Sequence, residues 1–132
     1  MDIRAEARQM KLQAPVLAAT SVEERNAALL AIAGALEEKK DEIFAANHED
    51  MEAADKNLVS PAVKKRLKFD EGKLRDVIAG IHQLVSLPDP LGRDLLHRQL
   101  DEGLELHRVS VPIGVIGVIF EARPDALVQI ST

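Results

Sequence analysis

The feature that most constrains the fold is an unbroken apolar run near the end of the sequence. Val115 to Phe120 is apolar and rich in β-branched side chains, interrupted only by Gly117. A strand without polar alternation is one that is covered on both faces, as in a parallel α/β sheet. The run therefore predicts a central strand, and it predicts α/β as the fold class.

A polar turn and a helix are predicted directly after this strand. Charged residues and a proline end the apolar run, and apolar residues resume at helical spacing from Ala126. Pro124 suits the first turn of that helix, where its missing N–H costs nothing. Ligands of open α/β sheets bind beyond the carboxyl ends of the strands. We therefore expect Glu121, Ala122 and Arg123 to lie where a ligand would bind.

Two glycines at the start of the strand could suggest a phosphate-binding loop. A glycine loop of that kind follows a strand and opens a helix, whereas Gly114 and Gly117 precede or interrupt the strand. Glycines within strands more often mark the close approach of another backbone. We therefore interpret both as packing residues.

Helical periodicity dominates the first part of the chain. The apolar spacing from Ile3 to Leu17 predicts an amphipathic helix, which Pro15 should kink or divide. Two overlapping capping boxes begin at Thr20 and Ser21. They precede a long helix that we expect to continue to about Ala54, because Asn47 to Lys56 is polar and contains no Gly or Pro that would end it.

Two further helices and a hairpin are predicted from local signals. Ser60 and Pro61 indicate the start of a short helix, and Asp70 can cap the next one. That helix carries an apolar stripe and stops before the prolines of Pro88 to Gly92. Alternation on both sides of a glycine turn then predicts a β-hairpin over Leu95 to Val109, with half-exposed edge strands.

Composition excludes several classes of protein. The formal net charge is −5 over 132 residues, which argues against a nucleic-acid footprint. No apolar stretch has the length of a membrane span, and the start of the chain lacks the apolar core of a signal peptide, so we expect a cytoplasmic protein without a membrane partner. The chain contains no cysteine, which excludes a disulfide, a thiolate metal site and a cysteine nucleophile within it.

Histidines and clustered lysines give no sign of a binding site. The four histidines, His48, His82, His97 and His107, occur singly and lack a metal-ligand spacing such as His-x-x-x-His. We expect them to be solvated or structural, and we predict no metal site. The basic cluster of Lys64–Arg66 with Lys68 is expected to be a solvated face, with a phosphate contact as the alternative.

Residues Pro112 to Pro124, PIGVIGVIFEARP, resemble the signature of the γ-glutamyl phosphate reductase family, within the aldehyde dehydrogenase superfamily. Asn26–Ala33, Leu58–Leu67 and Leu87–Gly92 are similar to the same family, so the resemblance covers essentially the whole chain. It implies an N-terminal fragment: residues 1–92 form a helical segment, 93–112 the hairpin of an oligomerisation arm, and 113–132 the start of a doubly wound dinucleotide-binding domain. Without a parallel neighbour, we expect that last strand and its helix to be disordered, domain-swapped or paired with a second chain.

The resemblance also implies an activity and partners. Members use NADPH to reduce L-glutamyl 5-phosphate to L-glutamate 5-semialdehyde and phosphate in L-proline biosynthesis. A cysteine thiolate attacks the acyl phosphate, and hydride from the cofactor reduces the resulting thioester. The catalytic cysteine is absent here, so we expect this chain alone to be inactive. The family further implies a homo-oligomer built through the hairpin and an association with glutamate 5-kinase.

Site residues follow from the same resemblance. The turn of the wider superfamily carries an Asn that helps to bind the oxyanion, and Ala122 stands in its place, so an oxyanion here would need backbone N–H groups or another residue. Ile119, Phe120, Glu121 and Ala122 are expected to line NADP, mainly through backbone atoms. Arg123 is the candidate for the substrate phosphate, because a guanidinium presents two parallel donors. An ordinary ion pair between Glu121 and Arg123 is the alternative.

Two other functions are compatible with the residues. The chain could be a non-catalytic helical module with an oligomerising hairpin. It could also belong to another aldehyde dehydrogenase-like reductase, acting on a CoA thioester, although Glu-Ala-Arg-Pro replaces the turn of the wider superfamily. The reading frame after Thr132 would separate a truncated enzyme from a short independent protein.

Overall fold

The computed structural model describes residues 2–132 as helices with one antiparallel hairpin. Helices and strands follow in the order α1 (Ile3–Ala18), α2 (Val22–Glu38), α3 (Lys40–Lys56), α4 (Pro61–Leu67), α5 (Glu71–Val85), β1 (Asp94–Asp101), β2 (Leu104–Val109) and α6 (Pro124–Ser131). The chain divides into two compact units. The hairpin unit contains the described residues up to Val22 and Pro88–Gly117, and the helical unit contains Glu23–Leu87 and Val118–Thr132. Within residues 2–132, no helix combines the length and the apolar character needed to cross a membrane.

The core of the helical unit forms around α5. Leu74 is 1% exposed, and Val77 and Phe69 are also buried and form one cluster with it. Partly buried apolar side chains pack against this cluster: Leu36, Ile43, Phe44, Ile78 and Val128. The predicted stripe of α5 is thus confirmed. So is the cap, because the Asp70 carboxylate accepts a hydrogen bond from the Lys73 backbone N–H at 3.1 Å.

α4 begins where it was predicted to begin, but without the expected side-chain cap. Ser60 occupies the N-cap position and Pro61 lies in the first turn. The Ser60 side chain, however, makes no capping hydrogen bond. Proline alone satisfies the geometry of this helix start, because its φ angle is already helical.

Two helix boundaries differ from the prediction. Of the two expected effects of Pro15, a kink or a division, the division is wrong, since α1 is continuous through Pro15. Pro15 removes only the hydrogen bond to the Lys11 carbonyl, and that residue is exposed, so water can satisfy the carbonyl. The single long helix is also wrong, because it is divided at Lys39, whose backbone has φ −99° and ψ 15°. Lys39 is neither Gly nor Pro, so local sequence carries no signal for this break.

Asn47 of α3 is the buried polar residue of the described chain, at 8% exposure. Its Nδ2 donates to the Leu67 carbonyl at 2.9 Å, and its Oδ1 accepts from the Phe69 backbone N–H at 2.7 Å. Leu67 is the last residue of α4, and Phe69 lies between α4 and α5. One side chain therefore fixes α3 to the start of the core helix.

We predict that Asn47→Ala lowers the free energy of unfolding by about 2–3 kcal/mol, because it leaves a buried N–H and a carbonyl without partners. Urea unfolding monitored by circular dichroism measures the change. Asn26→Ala is the matched control, since Asn26 Nδ2 makes one long hydrogen bond of 3.4 Å to the Val85 carbonyl. If the two substitutions cost the same, Asn47 does not have this role.

The C-terminus of α3 ends in a Schellman motif with leucine in the position usual for glycine. Leu58 has φ 53°. The Val59 N–H donates to the Ala54 carbonyl at 3.0 Å, and the Leu58 N–H donates to the Asp55 carbonyl at 3.1 Å. These are the two hydrogen bonds of the motif. A side chain with a Cβ is strained in this left-handed conformation.

We predict that Leu58→Gly stabilises the helical unit by about 0.5–1 kcal/mol, because the gain from relieving the strain exceeds the added entropy of the unfolded chain. Leu58 is 91% exposed, so little packing is lost. Leu58→Ala removes the side chain but keeps the strain, and should leave the urea midpoint nearly unchanged. Equal midpoints for the Gly and Ala variants would contradict the prediction.

In the hairpin unit, the predicted β-hairpin is confirmed. β1 and β2 pair antiparallel, and Gly103 in the turn has φ 73°. Every residue of both strands is exposed, and α1 of the same unit buries none of its side chains. The Ser110 N–H donates to the Arg93 carbonyl at 3.0 Å and extends the pairing past the strands.

The central strand predicted at Val115 to Phe120 is not formed within the described chain, and its apolar side chains are exposed. A strand needs a neighbour for its backbone groups, and no backbone hydrogen bond joins residues 111–122 to other described residues. The packing interpretation of Gly114 and Gly117 is wrong within residues 2–132, because no heavy atom beyond the adjacent residues lies within 4 Å of a Cβ built on either. Gly114 has φ 100°, which a residue with a Cβ rarely adopts.

Candidate functional site

The candidate site is the turn at residues 119–123, between the exposed apolar segment and α6. Ile119 is fully exposed and Phe120 is 44% exposed. Ala122 has φ 52°, a left-handed conformation that is uncommon for residues other than glycine. Strained residues of this kind cluster at functional sites, where the surrounding structure holds them in place.

Helix α6 anchors the turn to the helical unit. Pro124 lies in its first turn, as predicted. Ala126 is 3% exposed, and Val128 packs against the core cluster around Leu74. The Ala126 N–H donates to the Arg123 carbonyl at 3.0 Å. For α6 the first of the three expected outcomes, disorder, is wrong, because its apolar face packs against α5.

Charged groups surround Asp125 at the start of α6. Its carboxylate is 15% exposed, with Arg123 Nη2 at 3.8 Å from Oδ2 and Lys73 Nζ at 3.9 Å from Oδ1. Both distances are too long for hydrogen bonds, and the buried Oδ1 accepts none from the described residues. The alternative pairing of Arg123 with Glu121 is not observed, because Asp125 is the acidic residue beside the guanidinium.

The guanidinium of Arg123 remains accessible to a ligand. Its side chain is 49% exposed, and the ion pair with Asp125 is too long to use its N–H donors. By contrast, the basic cluster on α4 is partly neutralised, since Lys64 pairs with Asp55 and Lys68 pairs with Asp70. These ion pairs agree with the expected solvated face. Arg123 is therefore a better candidate for binding an anion than this lysine cluster.

Two histidines that are separated in the sequence lie together in the structure. His97 lies opposite His107 in the hairpin register, and their rings stack with centroids 4.1 Å apart. His107 Nδ1 lies 2.7 Å from Asp94 Oδ2. The signal available in the sequence was the predicted hairpin itself, because pairing its two strands brings these histidines close together.

The contact between His107 and Asp94 shifts the titration of both groups. The hydrogen bond to Asp94 raises the pKa of His107 above its ordinary 6.5, and the same bond lowers the pKa of Asp94 below 3.8. The raised pKa stabilises the folded hairpin below the unfolded pKa of His107, and this contribution is lost as pH rises through the folded value. The lowered pKa stabilises it above the unfolded pKa of Asp94, and that contribution is lost as pH falls.

We predict that an NMR titration of the His107 ring gives a midpoint above 6.5, the ordinary value. Asp94→Asn should lower this midpoint, because the charged acceptor is removed, and added salt should lower it in the unsubstituted chain. The contribution of the pair to hairpin stability is expected to be greatest between the two ordinary values, 3.8 and 6.5. A midpoint that Asp94→Asn does not change would contradict the assignment.

Comparison with known proteins identifies the relatives of the chain. No model of a protein family matches it. The gamma-glutamyl phosphate reductase of Pelotomaculum thermopropionicum is 53% identical over 132 residues, which are 100% of this chain and 30% of that protein. The structure of the Thermotoga maritima gamma-glutamyl phosphate reductase has a TM-score of 0.92 and 30% identity, covering 99% of this chain and 32% of that one. The structure of the Saccharomyces cerevisiae gamma-glutamyl phosphate reductase has a TM-score of 0.90 and 33% identity, covering 95% of this chain and 32% of that one.

These similarities confirm the predicted fold class. The chain matches the N-terminal part of solved gamma-glutamyl phosphate reductases, which supports an α/β, aldehyde dehydrogenase-like architecture for the segments seen here. It spans about 30% of the length of the curated relatives that it matches. The chain is thus similar to gamma-glutamyl phosphate reductases in sequence over its whole length and in fold over nearly all of it.

Proposed function

We propose that the chain is the N-terminal part of a cytoplasmic, NADP-dependent γ-glutamyl phosphate reductase. This enzyme reduces L-glutamyl 5-phosphate to L-glutamate 5-semialdehyde and phosphate in L-proline biosynthesis. The observation that carries the proposal is the 53% identity over the full chain to a relative of that name. The cysteine nucleophile of the reaction is not among these 132 residues.

Arg123 is proposed to bind the phosphate of the substrate. Its guanidinium is half exposed and its N–H donors are not used by Asp125, 3.8 Å away. Planar paired donors match two oxygens of a phosphate group. Asp125 then keeps the guanidinium in place without neutralising it through a direct hydrogen bond.

Ile119, Phe120, Glu121 and Ala122 are proposed to contact the cofactor. The apolar side chains of Ile119 and Phe120 are exposed, and backbone hydrogen bonds within residues 2–132 do not occupy this segment. Such a surface fits a flat ring with polar edges. NADPH supplies hydride when it is bound. Ala122 has no side-chain donor, so its contribution to oxyanion binding would come from the backbone N–H.

The hairpin is proposed to pair with a second subunit in a homo-oligomer. Both of its strands are exposed along their whole length. An exposed strand edge presents unpaired N–H and C=O groups that another strand can satisfy. The outer edges of β1 and β2 are therefore suitable for intersubunit pairing.

A chimera tests the function and the role of Arg123 together. Residues 1–132 would replace the matching part of the Pelotomaculum thermopropionicum relative, and glutamate-5-semialdehyde oxidation with NADP and phosphate would be followed in the reverse direction. We expect activity in the chimera and none in this chain alone. Arg123→Ala should raise the KM for phosphate by about ten- to a hundredfold, since a charged hydrogen bond contributes about 1.5–3 kcal/mol.

Arg75→Ala is the matched control, because Arg75 is an exposed arginine of α5. It should leave the KM for phosphate and for NADP unchanged. A folded chimera without turnover would contradict the proposed function. Activity with an unchanged phosphate dependence in Arg123→Ala would instead remove Arg123 from the substrate site.

A further inference from the structure

Three potential metal ligands meet on one side of the hairpin. The register places His97 of β1 opposite His107 of β2. Glu105 precedes His107 by two residues in β2 and therefore shares its face of the ribbon. One ligand atom from each of these three residues lies within 4.8 Å of the other two.

The distances suit a single small ion. His97 Nε2 lies 3.1 Å from Glu105 Oε2, and His107 Nε2 lies 3.5 Å from the same oxygen. Ligand atoms about 2.0–2.1 Å from a tetrahedral zinc ion are about 3.3 Å from one another. The two nitrogen–oxygen separations therefore already match those of a tetrahedral site.

The side chains are free to complete the geometry. Their exposures are 53% for His97, 45% for His107 and 56% for Glu105. Rotation about their side-chain torsions can bring the two nitrogens closer without disturbing a packed core. The two rings are stacked, 14° from parallel, so tilting them is one way to direct both Nε2 atoms at one ion.

Asp94 supplies the outer contact that such a site requires. Its Oδ2 lies 2.7 Å from His107 Nδ1, while the ligand candidate of the same ring is Nε2. A carboxylate on one ring nitrogen fixes the tautomer in which the other nitrogen has a free lone pair for a metal. This arrangement of carboxylate, histidine and open ligand position is typical of zinc sites.

We propose that the hairpin binds one Zn²⁺ through His97 Nε2, His107 Nε2 and a Glu105 carboxylate oxygen, with Asp94 as the positioning residue. Two imidazoles and one carboxylate are ligands that zinc favours, and water would complete four-coordination. Oxygen-seeking Mg²⁺ does not favour such a site. Because the ligands come from both β1 and β2, the ion cross-links the two strands.

The test is a zinc titration of the untagged chain, followed by calorimetry and by NMR of the histidine rings. We expect one saturable site, with His97 and His107 signals shifting together and Mg²⁺ causing no such shift. His97→Ala and His107→Ala should weaken binding by about tenfold or more, and Asp94→Asn by about ten- to a hundredfold. Amides of β1 and β2 should exchange more slowly with zinc bound, since the ion links the strands.

The Glu105→Gln variant separates loss of a metal ligand from unfolding of the hairpin, because it keeps the size and shape of the side chain and removes only its charge. Its zinc affinity should fall while cross-strand nuclear Overhauser effects persist. His48→Ala is the matched control, since His48 lies 3.3 Å from Glu52 on α3 and forms another exposed pair of the same chemistry. Absence of saturable binding, or equal affinity in the chain and its Glu105→Gln variant, would overturn the proposal.

Discussion

The helical unit depends on the two hydrogen bonds of Asn47. Phe69 contributes a buried ring to the core, and its backbone N–H is buried with it, so packing this residue without an acceptor would cost desolvation energy. Asn47 supplies that acceptor from α3 and binds the Leu67 carbonyl at the same time. The start of α5 is thereby placed on α3, and α6 in turn packs on α5.

Elements determined within a single turn of chain could be predicted from the sequence. Asp70 caps α5 with its own carboxylate, Pro61 begins α4, and Gly103 provides the positive φ of the hairpin turn. Each depends on neighbouring residues only. Elements that depend on distant partners could not be predicted in this way. The break at Lys39 has no local signal. An apolar run becomes a strand only when another strand satisfies its backbone hydrogen bonds.

The candidate site shows the same division. The turn at Arg123 and the helix after it follow from charges and a proline in sequence, but the neighbour of Arg123 does not, because Asp125 lies beside it rather than Glu121. His97 and His107 are ten residues apart, and their contact follows from the strand register, which contains irregularities between Asp94 and Leu96 and between Gln99 and Asp101. Irregularities of this kind shift which side chains face each other.

The anchoring of α6 has a consequence for how a sheet could be built on this chain. Residues 118–122 form no backbone hydrogen bonds with other described residues, yet they end at Arg123, where α6 holds the backbone against α5. A segment that is tethered at one end loses less conformational entropy on pairing than a free one. Because the backbone is fixed at Arg123 and a strand rises about 3.3 Å per residue, the position of each residue of the segment is set by its distance from Arg123. The packing of α6 on α5 would thus determine the register in which residues 118–122 pair with another strand.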